Sequence, residues 1–203
     1  MTRVEARRGL RLFTLLLALA TAACVTDADR IDAINAVNGA FRVEYEKNLP
    51  AQGTRTFKMR LDDAFVAMRV VFAGMGMRTE NQDSSLGYLS ISGPAPSPLS
   101  LEEWNQVAEA DLPLLRRIVQ PYVGLAANFI SFEPQGLDVV ITARFIETAA
   151  GTEISLTVRL RETAPPRSGW PRREYLSPGA VRAGLDKIWN AFERELRAGP
   201  QRF

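Results

Sequence analysis

The chain has 203 residues, 46% hydrophobic and 24% charged, with one cysteine and no histidine. This is the composition of a folded domain, neither disordered nor multi-spanning. The missing histidine excludes Ser-His-Asp and Cys-His nucleophiles and histidine-ligated zinc or haem, and one cysteine excludes an internal disulfide and a cysteine-rich metal site. The residues imply no cofactor.

The N-terminus reads as an address. Arg3, Arg7, Arg8 and Arg11 precede the apolar run Leu12–Ala20, and Thr21-Ala22-Ala23-Cys24 follows. A basic region, a short apolar core and small residues before a cut site describe a secretory signal peptide over residues 1–23. Leu12 to Ala23 is only twelve residues, short of the roughly 20 that cross a bilayer as a helix. Thr-Ala-Ala-Cys resembles the bacterial lipobox, although Thr21 stands where leucine is usual. The resemblance implies cleavage before Cys24 and acylation of its thiol and new amine, and so stable anchoring through several acyl chains. Val25 rather than aspartate follows the cysteine, which under the lipoprotein sorting rule implies the outer membrane, on its periplasmic side. Losing residues 1–23 removes four Arg and one Glu and turns a net charge of +2 into −1. A near-neutral chain gives no electrostatic case for nucleic acid.

In the mature chain, residues 24–40 read as a lipidated N-terminus and tether, with Ile31, Ile34 and Val37 making a weak amphipathic turn or two. Phe41, Val43 and Tyr45 alternate with polar residues and predict a strand, closed by a turn at Leu49–Gly53; Phe57 and Met59 alternate in a second. Asp62 is positioned to cap a helix whose apolar face is Phe65, Met68, Phe72 and Met75. Strands follow over Arg78–Asp83 and around Leu89–Ile91. Ser100-Leu101-Glu102-Glu103 is a capping box, and Pro113 and Pro121 predict a bent or segmented helical insert over residues 100–129. Val139, Ile141, Ala143 and Phe145, then Ile154, Leu156, Val158 and Leu160, alternate on either side of Ala150-Gly151, the clearest hairpin in the chain. A Pro-rich loop leads to a last helix with Ser177 as cap and Pro178 at its first position.

These elements predict an α+β fold, an antiparallel sheet with helices packed on one face, one core and a single domain over residues 41–199. From Arg55 onward the layout resembles the helix-grip, TBP-like domains of small envelope lipoproteins, among them the C-subunit lipoprotein of the outer-membrane β-barrel assembly machine. The resemblance is carried by the element order, by Met75-Gly76-Met77 ending the first helix, and by Leu176-Ser177-Pro178 opening a helix that contains Ile188-Trp189. It implies a non-enzymatic accessory or scaffold role beside an envelope protein. The insert at 100–129 departs from the pattern.

Four groups of residues bear on function. The adjacent pairs Asp62-Asp63 and Glu102-Glu103 sit at helix starts, where negative charge meets the helix dipole; neighbours on a helix diverge by about 100° and do not converge on one atom. Met59, Met68, Phe72 and Met75 either pack a core or line an adaptable groove for a lipid or another apolar ligand. Arg144, Arg159 and Arg161 lie on the outward face of the hairpin, a solvated face or a docking surface for a protein partner. In the loop, Trp170, Arg172 and Arg173 either grip a partner or fold back with Trp170 over the domain.

Overall fold

Five apolar residues at four-residue spacing, Ala33, Val37, Phe41, Tyr45 and Leu49, draw one stripe along a single helix. In the structure, a computed structural model describing residues 25–198, that helix is α1 (Asp27–Gly53). It replaces the strand expected at Phe41–Tyr45, the turn at Leu49–Gly53 and most of the tether. Phe41 and Tyr45 are buried while Val43 is 64% exposed, the opposite of a shared strand face. The alternation at 41–45 is a local coincidence that the longer stripe overrides. Thr26 caps the helix, accepting from the Asp29 amide while the Asp29 carboxylate accepts from the Thr26 amide. The signal peptide and Cys24 lie outside the described residues.

The order continues with β1 (Thr54–Phe57), α2 (Leu61–Gly74), β2 (Arg78–Asp83), β3 (Tyr88–Pro94), α3 (Leu101–Val123), a 3-10 turn (Gly124–Phe129), β4 (Leu137–Thr148), β5 (Gly151–Glu162) and α4 (Pro178–Ala198). The fold is α+β: one five-stranded antiparallel sheet, ordered β1-β5-β4-β3-β2. In the central hairpin, Val139 pairs with Leu160 and Ile141 with Val158, and Thr148 faces Gly151 across the turn. Leu89, Ile91, Val139, Ile141, Ala143, Phe145, Ile154, Leu156 and Val158 are buried on one sheet face. Met68 and Phe72 of α2 and Leu185, Ile188, Trp189 and Phe192 of α4 fill the core over that face.

Two expected details differ. Asp62 is not the cap of α2: Arg60 holds that position without a side-chain bond, and Asp62 and Asp63 lie in the first turn. The insert is not broken at its prolines, because α3 runs through Pro113 and Pro121 to Gly124. Both prolines are exposed, as are Glu109 and Arg117, whose carbonyls lose their amide partners. Those carbonyls lie on the wet side, so the helix stays continuous. Ser100 and Glu103 form the expected capping box.

A second, smaller apolar cluster joins Ala33 and Phe41 of α1 to Leu115, Val119 and Val123 of α3 and Ala127. This corrects the expectation of one undivided core. Phe132 and Tyr175 pack against both clusters, so the second extends the first beyond the sheet.

Candidate functional site

β5 is longer than the edge strand beside it. β1 pairs only with Thr152–Ser155, which leaves the far half of β5 with amides facing outward, a liability in any sheet. The Val158 amide donates to the Tyr45 hydroxyl of α1 at 2.9 Å, and the Leu160 amide donates to the Glu174 carbonyl at 3.0 Å. Burial pushes the Tyr45 hydroxyl above its ordinary ionisation range, opposed by that amide. α1 and the loop after β5 therefore close the edge.

The same contacts hold the loop in place. Asn38 of α1 donates to the Arg172 carbonyl at 2.7 Å and accepts from the Glu174 amide at 3.2 Å. Arg173 Nε lies 3.0 Å from the Glu162 carboxylate. These bonds fix residues 170–176 as one wall of a cavity of about 360 Å³. Ala33, Val37 and Phe41 of α1 form a second wall, and Leu115, Val119 and Val123 of α3 a third. Leu137 and Leu160, at the ends of β4 and β5, form the floor, and Trp170 and Tyr175 come from the loop. The lining is predominantly apolar, with Arg30, Ser131, Glu133 and Arg173 among its polar members. This volume and character suit a small-molecule or acyl-chain site.

The methionines do not line this cavity, although Met75 edges a separate groove between α2 and α4. Met68 and Phe72 are buried in the main core, and Met59 and Met75 pack against it. Met68 and Phe72 lie between α4 and the sheet, whereas the cavity lies under α1 and α3, toward the start of β4. No local pattern marks it, because its walls come from separate segments spread between Arg30 and Ser177. The one available signal was the four-residue stripe of α1.

The outward arginines have separate fates. The Arg159 guanidinium is 4.3 Å from the ring centres of both Tyr45 and Tyr175, where cation–π attraction fastens the loop to α1. Arg161 bridges Glu80 and Asp138, which holds the Glu80 carboxyl below its usual range, Arg161 being the largest cause. Both are thus engaged by groups within the chain. Arg144 and Arg172 are exposed, and Trp170 is half-buried on the cavity wall with Arg167 5.9 Å from its ring. Of the loop trio, then, Arg173 is engaged by Glu162, Trp170 faces the cavity and Arg172 faces solvent.

The carboxylate pairs serve the helices. Glu103 completes the α3 capping box and also accepts from Lys187 of α4, which lowers its pKa. Asp111 of α3 accepts from the Gly179 amide at 2.8 Å, and a Cβ at Gly179 would meet that carboxylate at 2.7 Å. Among the described residues, no group of three or more His, Cys, Asp or Glu is placed to hold a metal ion. No helix among them is long and apolar enough to cross a membrane. Compared with known proteins, the chain matches no family model and no curated sequence.

Proposed function

We propose that this chain is a membrane-anchored, non-enzymatic envelope lipoprotein whose domain holds an apolar chain of the acyl class. The observation that carries the reading is the cavity of about 360 Å³ walled by α1, α3, the ends of β4 and β5 and the Trp170–Leu176 loop. The N-terminal pattern ending in Thr21-Ala22-Ala23-Cys24 supports the anchor, and an outer-membrane position facing the periplasm follows from Val25 under the sorting rule.

At roughly 30 Å³ per methylene-sized group the cavity accommodates about a dozen such groups. Each methylene withdrawn from water contributes about 0.8 kcal/mol. An acyl chain fits this space, with its polar end among Arg30, Ser131, Glu133 and Arg173. The chain has two sources, a free lipid or the acyl group on Cys24. Native mass spectrometry of gently purified protein separates them, because denaturation releases a free lipid and leaves the acyl group on Cys24. Protein that sheds no mass on denaturation, and whose Cys24→Ala form takes up no acyl probe, would defeat the carrier reading.

The second reading is an accessory or scaffold role, which the envelope-lipoprotein resemblance supports. The observation favouring it is the outer sheet face, where Arg144 and Ile146 stand exposed, Ile146 by 53%. Crosslinking in native membranes through a probe at Ile146 should then capture an envelope protein. Capture of none would count against this role.

A further inference from the structure

The end of α3 presents apolar side chains to solvent where a soluble surface would carry charge. Tyr122 is 39% exposed, Leu125 77% and Phe129 88%. From Ile118 to Phe132 no residue is charged. The tip is firmly built, since Gly124 turns the chain with φ of 54° and Ala127 is buried in the second cluster. A patch of this kind, held rigidly outward, marks an interaction site rather than a packing accident.

The start of the described chain identifies the occupant. α1 and α3 run antiparallel: Ala33 and Phe41 meet Leu115, Val119 and Val123 in one cluster, while Tyr45 and Trp104 belong to the other. The N-terminal end of α1 therefore lies beside the C-terminal end of α3. Val25, the first described residue, packs against that same cluster, so the described chain starts at the end of the molecule that carries the exposed tip. Leu137, at the start of β4, floors the cavity at this end as well, whereas the Ala149-Ala150 turn lies about 40 Å away along the hairpin at roughly 3.3 Å per residue.

We propose that the Gly124–Phe129 turn, with Tyr122, is a membrane-contacting tip that inserts Leu125 and Phe129 into the bilayer holding the Cys24 anchor. The inference rests on the anchored-lipoprotein reading for its geometry and goes beyond it in assigning a second, protein-borne contact. Apolar side chains entering the headgroup–acyl boundary add to an acyl anchor without spanning the membrane, and a tyrosine beside them suits the interface. The tip turns the domain so that the cavity end faces the lipid from which an acyl ligand would come.

The test uses the full chain purified from membranes and reconstituted into phosphatidylethanolamine–phosphatidylglycerol vesicles. Leu125→Cys, Phe129→Cys and Ala149→Cys variants each carry an environment-sensitive fluorophore on the new thiol. The expected result is a blue shift, and quenching by lipids with a quencher on the acyl chain, for labels at 125 and 129 and not at 149. Equal, water-like signals from all three sites in chain that floats with the vesicles would overturn the tip and leave the anchor standing. Wild-type chain that does not float, and takes up label at Cys24, would instead defeat the anchor. Labels at 125 and 129 protected only in native envelope membranes would assign the tip to a protein partner. Protection that scales with protein concentration in lipid-free buffer would assign it to a second copy. Either of these also overturns the proposal.

Discussion

Replacing Ala33 by phenylalanine tests the cavity directly. Ala33 is 6% exposed and its side chain lies on the cavity wall formed by α1, so a ring built there enters existing space instead of displacing packed neighbours. Burying that ring contributes roughly 2 kcal/mol by transfer. Lost rotamer freedom costs about 0.5–1 kcal/mol and the lower helix propensity of phenylalanine about 0.5. The net expectation is a gain of about 0.5–1 kcal/mol in ligand-free protein, or an upward shift of roughly 1–4 °C in Tm for a domain of this size. The ring takes the room of about four methylenes, so the affinity for a fluorescent acyl-chain probe should fall by about 3 kcal/mol, roughly a hundredfold. Val43→Phe, on the exposed side of the same helix, should leave probe binding unchanged. Thermal melting and probe titration on the same preparations read both effects. A loss of stability above about 1 kcal/mol would mean the space is not available to a side chain. Unchanged probe affinity in a stabilised variant would mean the probe binds elsewhere, and the reasoning would fail.

Trp170→Ala should cost no more than about 1 kcal/mol, since Trp170 is only half-buried on a loop, yet should weaken acyl-probe binding several-fold; a loss near 3 kcal/mol, typical of core truncation, would make Trp170 a structural lid. Val158→Asp places a charge on the inner face of β5, where Val158 is 4% exposed, and should destabilise by about 3 kcal/mol or more; an unshifted denaturation midpoint would refute the assigned face. The lowered pKa values of Glu80 and Glu103 mean that the native state holds these carboxylates charged more readily than the unfolded chain. Their contribution is therefore complete above the ordinary value of 4.5 and disappears as pH falls through the lower native values. Denaturant melts between pH 7 and pH 3 should show this acid limb, and Glu80→Gln should flatten it; an identical limb in the variant would detach Glu80 from the effect.

Local chemistry was legible wherever one element supplied both the signal and its environment. The β4–β5 hairpin could be read because alternation holds over the whole length of both strands and Gly151 supplies the turn, with φ of 125°. The α3 capping box and the Ser177-Pro178 opening of α4 needed only neighbours in sequence. α1 was misread because alternation at Phe41–Tyr45 is compatible with a helix whose buried stripe recurs every fourth residue. Burial against α3 decides between the two, and that is a tertiary fact.

The cavity, the roles of the arginines and the placement of the tip depended on tertiary structure alone. Arg159 looks from its strand position like a solvent-facing side chain, yet it is stacked by Tyr45 and Tyr175, one on the helix before the sheet and one on the loop after it. The apolar face of α2 gave no sign of whether it would pack or open into a groove, and contact with α4 and the inner sheet face buried Met68 and Phe72. The sequence by itself determined the linear patterns, the alternation of the β4–β5 hairpin and the α3 capping box. Chain packing decided where space remains and which charges are already paired, because both depend on distances between residues that no local periodicity encodes.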